Sequence, residues 1–202
     1  FLLGGLLAWG IGNPVAEYVF GLSEWRFSSD SSRWIAAIAI VATLHQLCAY
    51  LAIRFTVFQT GDLDEPVDGM IYAAAGCLGV ATATTLQFVV AHKGIMPLAG
   101  TAWISSVVLI HVASALPLGL GIARRRMGGG PIGLAVFFVL SVVFNGGLTE
   151  GLAIFGSDGG EFNPWRLIGI AACLAGFVLV AGGIITDRLR LRLVEVDQDA
   201  LE

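Results

Sequence analysis

Apolar runs of about twenty residues recur along the chain, separated by short polar clusters, at about residues 2–21, 34–58, 69–91, 98–122, 131–155 and 165–186. Each is close to the roughly 20 residues that an α-helix needs to cross a bilayer. The apolar positions do not alternate with a period of two. An open strand cannot satisfy its backbone in lipid, so the pattern predicts helices rather than a barrel. The expected fold is all-α, a polytopic transmembrane bundle of about six helices over residues 1–187, followed by a solvated tail at 188–202.

Composition agrees with the pattern. Of 202 residues, 56% are hydrophobic and 13% charged, with a mean hydropathy of +0.84; soluble domains carry about 25% charged residues. These values exclude an ordinary soluble domain and leave the lipid bilayer, not nucleic acid, as the expected environment. The net charge of −4 matters less than where the cations lie. Arg54, Arg124, Arg125, Arg126, Arg188, Arg190 and Arg192 fall on one side of the expected topology; Arg26, Arg33, Lys93 and Arg166 fall on the other. That bias predicts cytoplasmic termini and even-numbered connections, in what we expect to be a prokaryotic plasma membrane.

The chain opens at Phe1 inside an apolar run without an initiator Met, so the native N-terminus is expected to lie upstream of this sequence. Cys48, Cys77 and Cys173 sit in three different predicted helices without metal-type spacing, which marks them as small packing residues. The connection at 22–33 is Ser-rich and carries Trp25 and Trp34, a pattern suited to aromatic anchoring at the interface. Gly128, Gly129, Gly130 and Pro131 predict a hinge and a helix start. From Arg188 the tail alternates Arg and Leu and then turns acidic, which reads as a solvated end.

Polar side chains within the apolar runs are costly in hydrocarbon and should face partner helices or a water-filled cavity. They are Asn13 and Glu17, then His45 and Gln46, then Thr82, Thr84, Thr85 and Gln87, then His111 and Ser114, and finally Asn145, Thr149 and Glu150. Counting from the outer helix ends at about 1.5 Å per residue places His45, Thr84, His111 and Asn145 in one layer about 9 Å deep. Glu17 and Glu150 fall nearer the outer surface. Ala73, Cys77, Val80, Thr84 and Gln87 share one helical stripe, so Thr84 and Gln87 are expected to face inward together. Gly169, Ala172, Gly176 and Gly183 give the last predicted helix close-approach positions.

The acidic turn Asp64-Glu65-Pro66-Val67-Asp68-Gly69-Met70-Ile71-Tyr72, running straight into an apolar segment, resembles the entry to the motif helix of PrsW-type intramembrane proteases. Asp64, Glu65, Asp68, Gly69 and Tyr72 match the turn; Leu78, Gly79 and Ala81 match the following motif; His111, with Gly119 eight residues on, matches the first His helix. The resemblance covers residues 44–150. It implies that the family's paired glutamates fall on His45 and Gln46, its lysine on Ala49, its Glu-Asn pair on Thr84 and Thr85, and its later His on Asn145. Of the family's reactive groups only His111 is retained, a pattern that implies a kept fold with abandoned proteolysis.

Three functions follow as expectations. The favoured one is a catalytically degenerate PrsW-like protein that binds or scaffolds other integral membrane proteins through small-residue surfaces such as Ala75, Gly76 and Gly79, with no catalytic residue, metal or cofactor favoured. The second is an active zinc-dependent intramembrane protease with shifted ligands, His45 and His111 on the metal and Glu150 as third ligand or water-activating base. The third is a channel, carrier or cofactor-holding subunit in which Glu17, His45, Gln87, His111 and Glu150 line a polar path, with His-His haem ligation as one version.

Overall fold

The computed structural model describes residues 1–91 and 97–156. The last predicted helix, the tail, Lys93, Arg166 and Cys173 lie outside the described residues. Within them the chain is helical, without a strand. The first helix, α1, is α-helical over Leu2–Leu7 and widens to π-type bonding over Ala8–Gly12 and Val15–Val19. A single turn, α2, follows at Leu22–Trp25. The next helix, α3 (Asp30–Thr56), is π-type over Ala36–Ala42. It is followed by α4 (Pro66–Ala91), α5 (Pro97–Arg126) and α6 (Pro131–Gly156).

Four stretches are long and apolar enough to cross a membrane: Asp30–Thr56, Pro66–Ala91, Trp103–Arg126 and Pro131–Gly151. The chain is a multi-pass membrane protein of the all-α class. The helix start at Pro131 lies where the sequence predicts it, since proline's missing N–H costs nothing in a first turn. Two boundaries differ from expectation: α4 begins at Pro66, inside the predicted acidic turn, and α3 begins at Asp30, inside the predicted Ser-rich connection. Ser29 accepts from the Ser32 backbone N–H at 3.1 Å while the Ser32 hydroxyl accepts from the Ser29 N–H at 2.9 Å, a reciprocal cap that extends the helix outward.

The acidic turn has a local structural role. The Asp68 carboxylate accepts the Glu65 backbone N–H at 2.9 Å, satisfying a donor at the mouth of α4. At the far end of α5 the Gly129 N–H returns to the Arg124 carbonyl at 2.8 Å, with Gly128 at φ 94°, the left-handed closure that the Gly run predicts.

Close helix approach holds the bundle together. A Cβ on Gly69 would strike the Gly119 carbonyl, and one on Gly119 would strike the Gly69 backbone, so α4 and α5 touch main chain to main chain. A Cβ on Gly4 would strike the Gly76 carbonyl and one on Gly79 the Phe1 carbonyl, so α1 lies on the Gly76 and Gly79 backbone. These two glycines therefore serve an internal contact, not the outward partner surface expected of them. The main apolar core sits between α3, α4 and α5, with Ala49, Cys77, Val80, Leu118 and Ile122 fully enclosed and Tyr72 packed against it. Cys48 and Cys77 are buried free thiols, as packing residues should be.

Candidate functional site: a polar core and an outer cavity

Of the polar residues predicted to share a layer, His45, His111 and Asn145 come together in two connected groups, while Thr84 bonds its own helix backbone. Gln46 on α3 is fully enclosed. Its amide donates to the Ser114 hydroxyl on α5 at 3.0 Å, and its carbonyl accepts from Ser141 on α6 at 2.8 Å and from the Cys77 thiol on α4 at 3.7 Å. Asn145 donates to the same Ser114 hydroxyl at 3.0 Å, and Ser114 donates to the His111 carbonyl at 3.0 Å. Ser141 also reaches the Ser114 carbonyl. Four helices are thus joined by groups that use each other as partners, which is how buried polar atoms become tolerable in hydrocarbon.

The second group is a chain of rings and amides. His111 Nδ1 lies 2.8 Å from the Val107 carbonyl, and because a carbonyl only accepts, that nitrogen carries a proton. His111 Nε2 lies 3.3 Å from His45 Nδ1, His45 Nε2 lies 3.3 Å from the Asn13 amide group, and Asn13 in turn bonds Gln87. A charged ring enclosed between apolar helices would be costly, so the neutral His45 fits: its Nδ1–H donates to His111 Nε2, the Asn13 and Gln87 amides turn over, and the bonds run inward from Gln87.

A half-open cavity of about 140 Å³ lies at the outer end of this chain, between α1, α2, α3 and α4. Its polar wall is Asn13, Glu17, Arg26, His45, Thr84 and Gln87. Thr84 and Gln87 do face the same space, as their shared stripe predicts. The cavity ends at His45. Behind it His111, Gln46 and Ser114 are packed side chain to side chain, so among the described residues the polar groups form a pocket rather than a path through the bundle.

Glu150, expected beside the two histidines, is elsewhere. It is 1% exposed, and its Oε1 pairs with Arg33 Nε of α3 at 2.7 Å. The reason is the early start of α3, which brings Arg33 into a helical turn facing α6 instead of leaving it in a loop. The zinc set of two imidazoles and this carboxylate is therefore not assembled, and among the described residues no group of three or more His, Cys, Asp or Glu could hold a metal ion. Haem does not fit either: the two rings touch, with centroids 5.3 Å apart, and leave no plane between them for a macrocycle.

The remaining positions singled out from the sequence have structural roles or none in the site. Ala49 is enclosed against Gly76, while Thr84 and Thr85 return their hydroxyls to the backbone at Val80 and Thr82. Asp64 and Glu65 are exposed at the opposite end of the molecule from the cavity. Sequence reasoning missed Ser141 and Arg33. The spacing of Ser141, Asn145 and Thr149, four residues apart on one face of α6, is the signal that could have found the first. Against protein-family profiles, curated proteins and solved structures, the chain matches none.

Proposed function

We propose that the chain is a non-proteolytic, PrsW-like membrane protein that acts by holding other integral membrane proteins, in a prokaryotic plasma membrane. The observation that carries this reading is the closed network of Gln46, Ser114, Ser141 and Asn145. Peptide-bond hydrolysis within a membrane needs room for an extended substrate and an activated water. Here two of the positions aligned with the family's reactive groups, Gln46 and Asn145, are both committed to the Ser114 hydroxyl. With Gly76 and Gly79 occupied internally, the surface left for a partner is bulky and apolar. On α6 it comprises Ile132, Val136, Val139 and Val143, spaced four, three and four residues apart along one exposed face.

Two measurements on the full chain test this. In phosphatidylglycerol nanodiscs with a transmembrane reporter peptide, cleavage should stay at background with and without added zinc; cleavage abolished by His111→Ala would overturn the reading. A photo-crosslinking residue at Val136 or Val139 in native membranes should give discrete protein adducts of fixed mass, whereas lipid adducts alone at both positions would remove the scaffold role.

A further inference from the structure

The outer cavity is not used by a scaffold, yet its wall has the features of a binding site. Glu17 and Arg26 both line it, and no ion pair joins them among the described residues. Among the described residues the Arg26 guanidinium lies over the Phe27 ring while its Nε is buried without a hydrogen-bond partner, and a buried guanidinium donor left unpaired is costly. Glu17 accepts, among the described residues, a long contact, 3.3 Å, from the Ser23 backbone N–H. The same wall carries the Asn13 and Gln87 amides, the Thr84 hydroxyl and His45, while Leu22, Val41 and Leu44 supply an apolar side.

The geometry points to a site for a small zwitterion, its acidic oxygens on Arg26, its primary ammonium on Glu17 and a short carbon linker against the apolar side. A simple anion would gain Arg26 but meet the Glu17 carboxylate. A simple cation would meet the guanidinium. Only a molecule carrying both charges matches both walls, and charge-assisted hydrogen bonds are stronger than neutral ones. The volume limits the ligand: about 140 Å³ is close to the roughly 150 Å³ that accepts benzene in an engineered cavity, so about six to eight non-hydrogen atoms fit. Small amino acids and the phosphoethanolamine headgroup of a lipid share this chemistry.

The test uses the full chain in nanodiscs of phosphatidylglycerol, whose headgroup has no ammonium, with calorimetric titration of β-alanine, phosphoethanolamine, acetate and ethylammonium. One or both zwitterions should bind saturably, and the two single-charge probes about tenfold or more weakly. Arg26→Gln and Glu17→Gln should each lose about tenfold or more. Ala16→Leu, which fills the cavity while keeping both charges, should abolish binding, so a failure of Arg26→Gln to fold would leave the question answerable. If nanodiscs doped with phosphatidylethanolamine suppress the phosphoethanolamine signal, the ligand is a lipid headgroup. If β-alanine binds and the doped lipid does not compete, it is a soluble zwitterion. The proposal is overturned if neither zwitterion binds, if acetate or ethylammonium binds as well as they do, or if Ala16→Leu leaves binding unchanged.

Discussion

Ser114 carries more of the polar core than its size suggests. Its hydroxyl is the shared acceptor for the amides of Gln46 and Asn145, at 3.0 Å each. Ser114→Ala would therefore strand two buried donors. Gln46→Met would leave Ser114 still bonded to Asn145 and Ser141 still bonded to the Ser114 carbonyl. Because stranded groups cost about 1–3 kcal/mol each while an intramembrane hydrogen bond contributes only about 0.6 on average, Ser114→Ala should destabilise by about 2–4 kcal/mol and Gln46→Met by about 1–2. Unfolding in mixed micelles at rising SDS fraction would check the order, and a larger loss for Gln46→Met would refute it. Arg33 and Glu150 form a second such case. Arg33→Met leaves a carboxylate that is 1% exposed without its partner. The expected cost is about 2–3 kcal/mol, toward the lower side of the buried-pair range because Arg33 itself is partly exposed. The double change Arg33→Met with Glu150→Met should recover most of it, and equal losses in the single and double variants would show that the pair is not what holds the residue. At this scale depth was legible in the sequence and partnership was not. Helix counting put His45 and His111 at one level, where they do touch. It could not pair Glu150 with Arg33, since that contact depends on a cap four residues upstream of Arg33 extending the helix.

Helices here are positioned by what their glycines permit. The α4–α5 contact at Gly69 and Gly119 leaves no space for a side chain, whereas a Cβ on Gly133 of α6 would meet nothing within 4 Å. Gly119→Val should therefore separate α4 from α5, costing about 3 kcal/mol or more through overpacking at a site with only backbone to give way. Gly133→Ala should be neutral or stabilising by up to about 1 kcal/mol, from helix propensity alone. Thermal unfolding in detergent followed by circular dichroism would separate the two, and similar midpoints would mean that the close approach does not matter to stability. Boundaries that rest on local chemistry were readable: Pro131 begins a helix, and the Gly128–Gly130 run ends one. The π-type stretches of α1 and α3 were not readable. Ala8–Gly12 and Ala36–Ala42 have the same apolar composition as an ordinary helix, and no residue in either dictates an extra residue per turn.

At the scale of the whole molecule, the two ends of the bundle differ in character. One end holds the Arg triplet, Arg54 and the acidic turn, tied together where Arg126 donates to the Thr60 carbonyl at 3.4 Å. The other holds the Ser-rich α2 region, the mouth of the cavity and the Arg33–Glu150 pair. The positive-inside tendency favours a cytoplasmic Arg-rich end; in that orientation the cavity opens outward and its ligand arrives from the extracytoplasmic side or the outer leaflet. Cysteine accessibility can decide this, because Cys48 and Cys77 are buried and should not compete for reagent. In a Cys173→Ser background, Thr60→Cys and Gly130→Cys should react with a membrane-impermeant maleimide only after the cells are opened. Ser28→Cys should react in intact cells. The reverse pattern would turn the molecule over and make the cavity a cytoplasmic site. Labelling of all three in intact cells would instead mean that Thr60 and Ser28 do not lie on opposite sides of the bilayer, against a crossing by α3, whose Asp30–Thr56 span separates them.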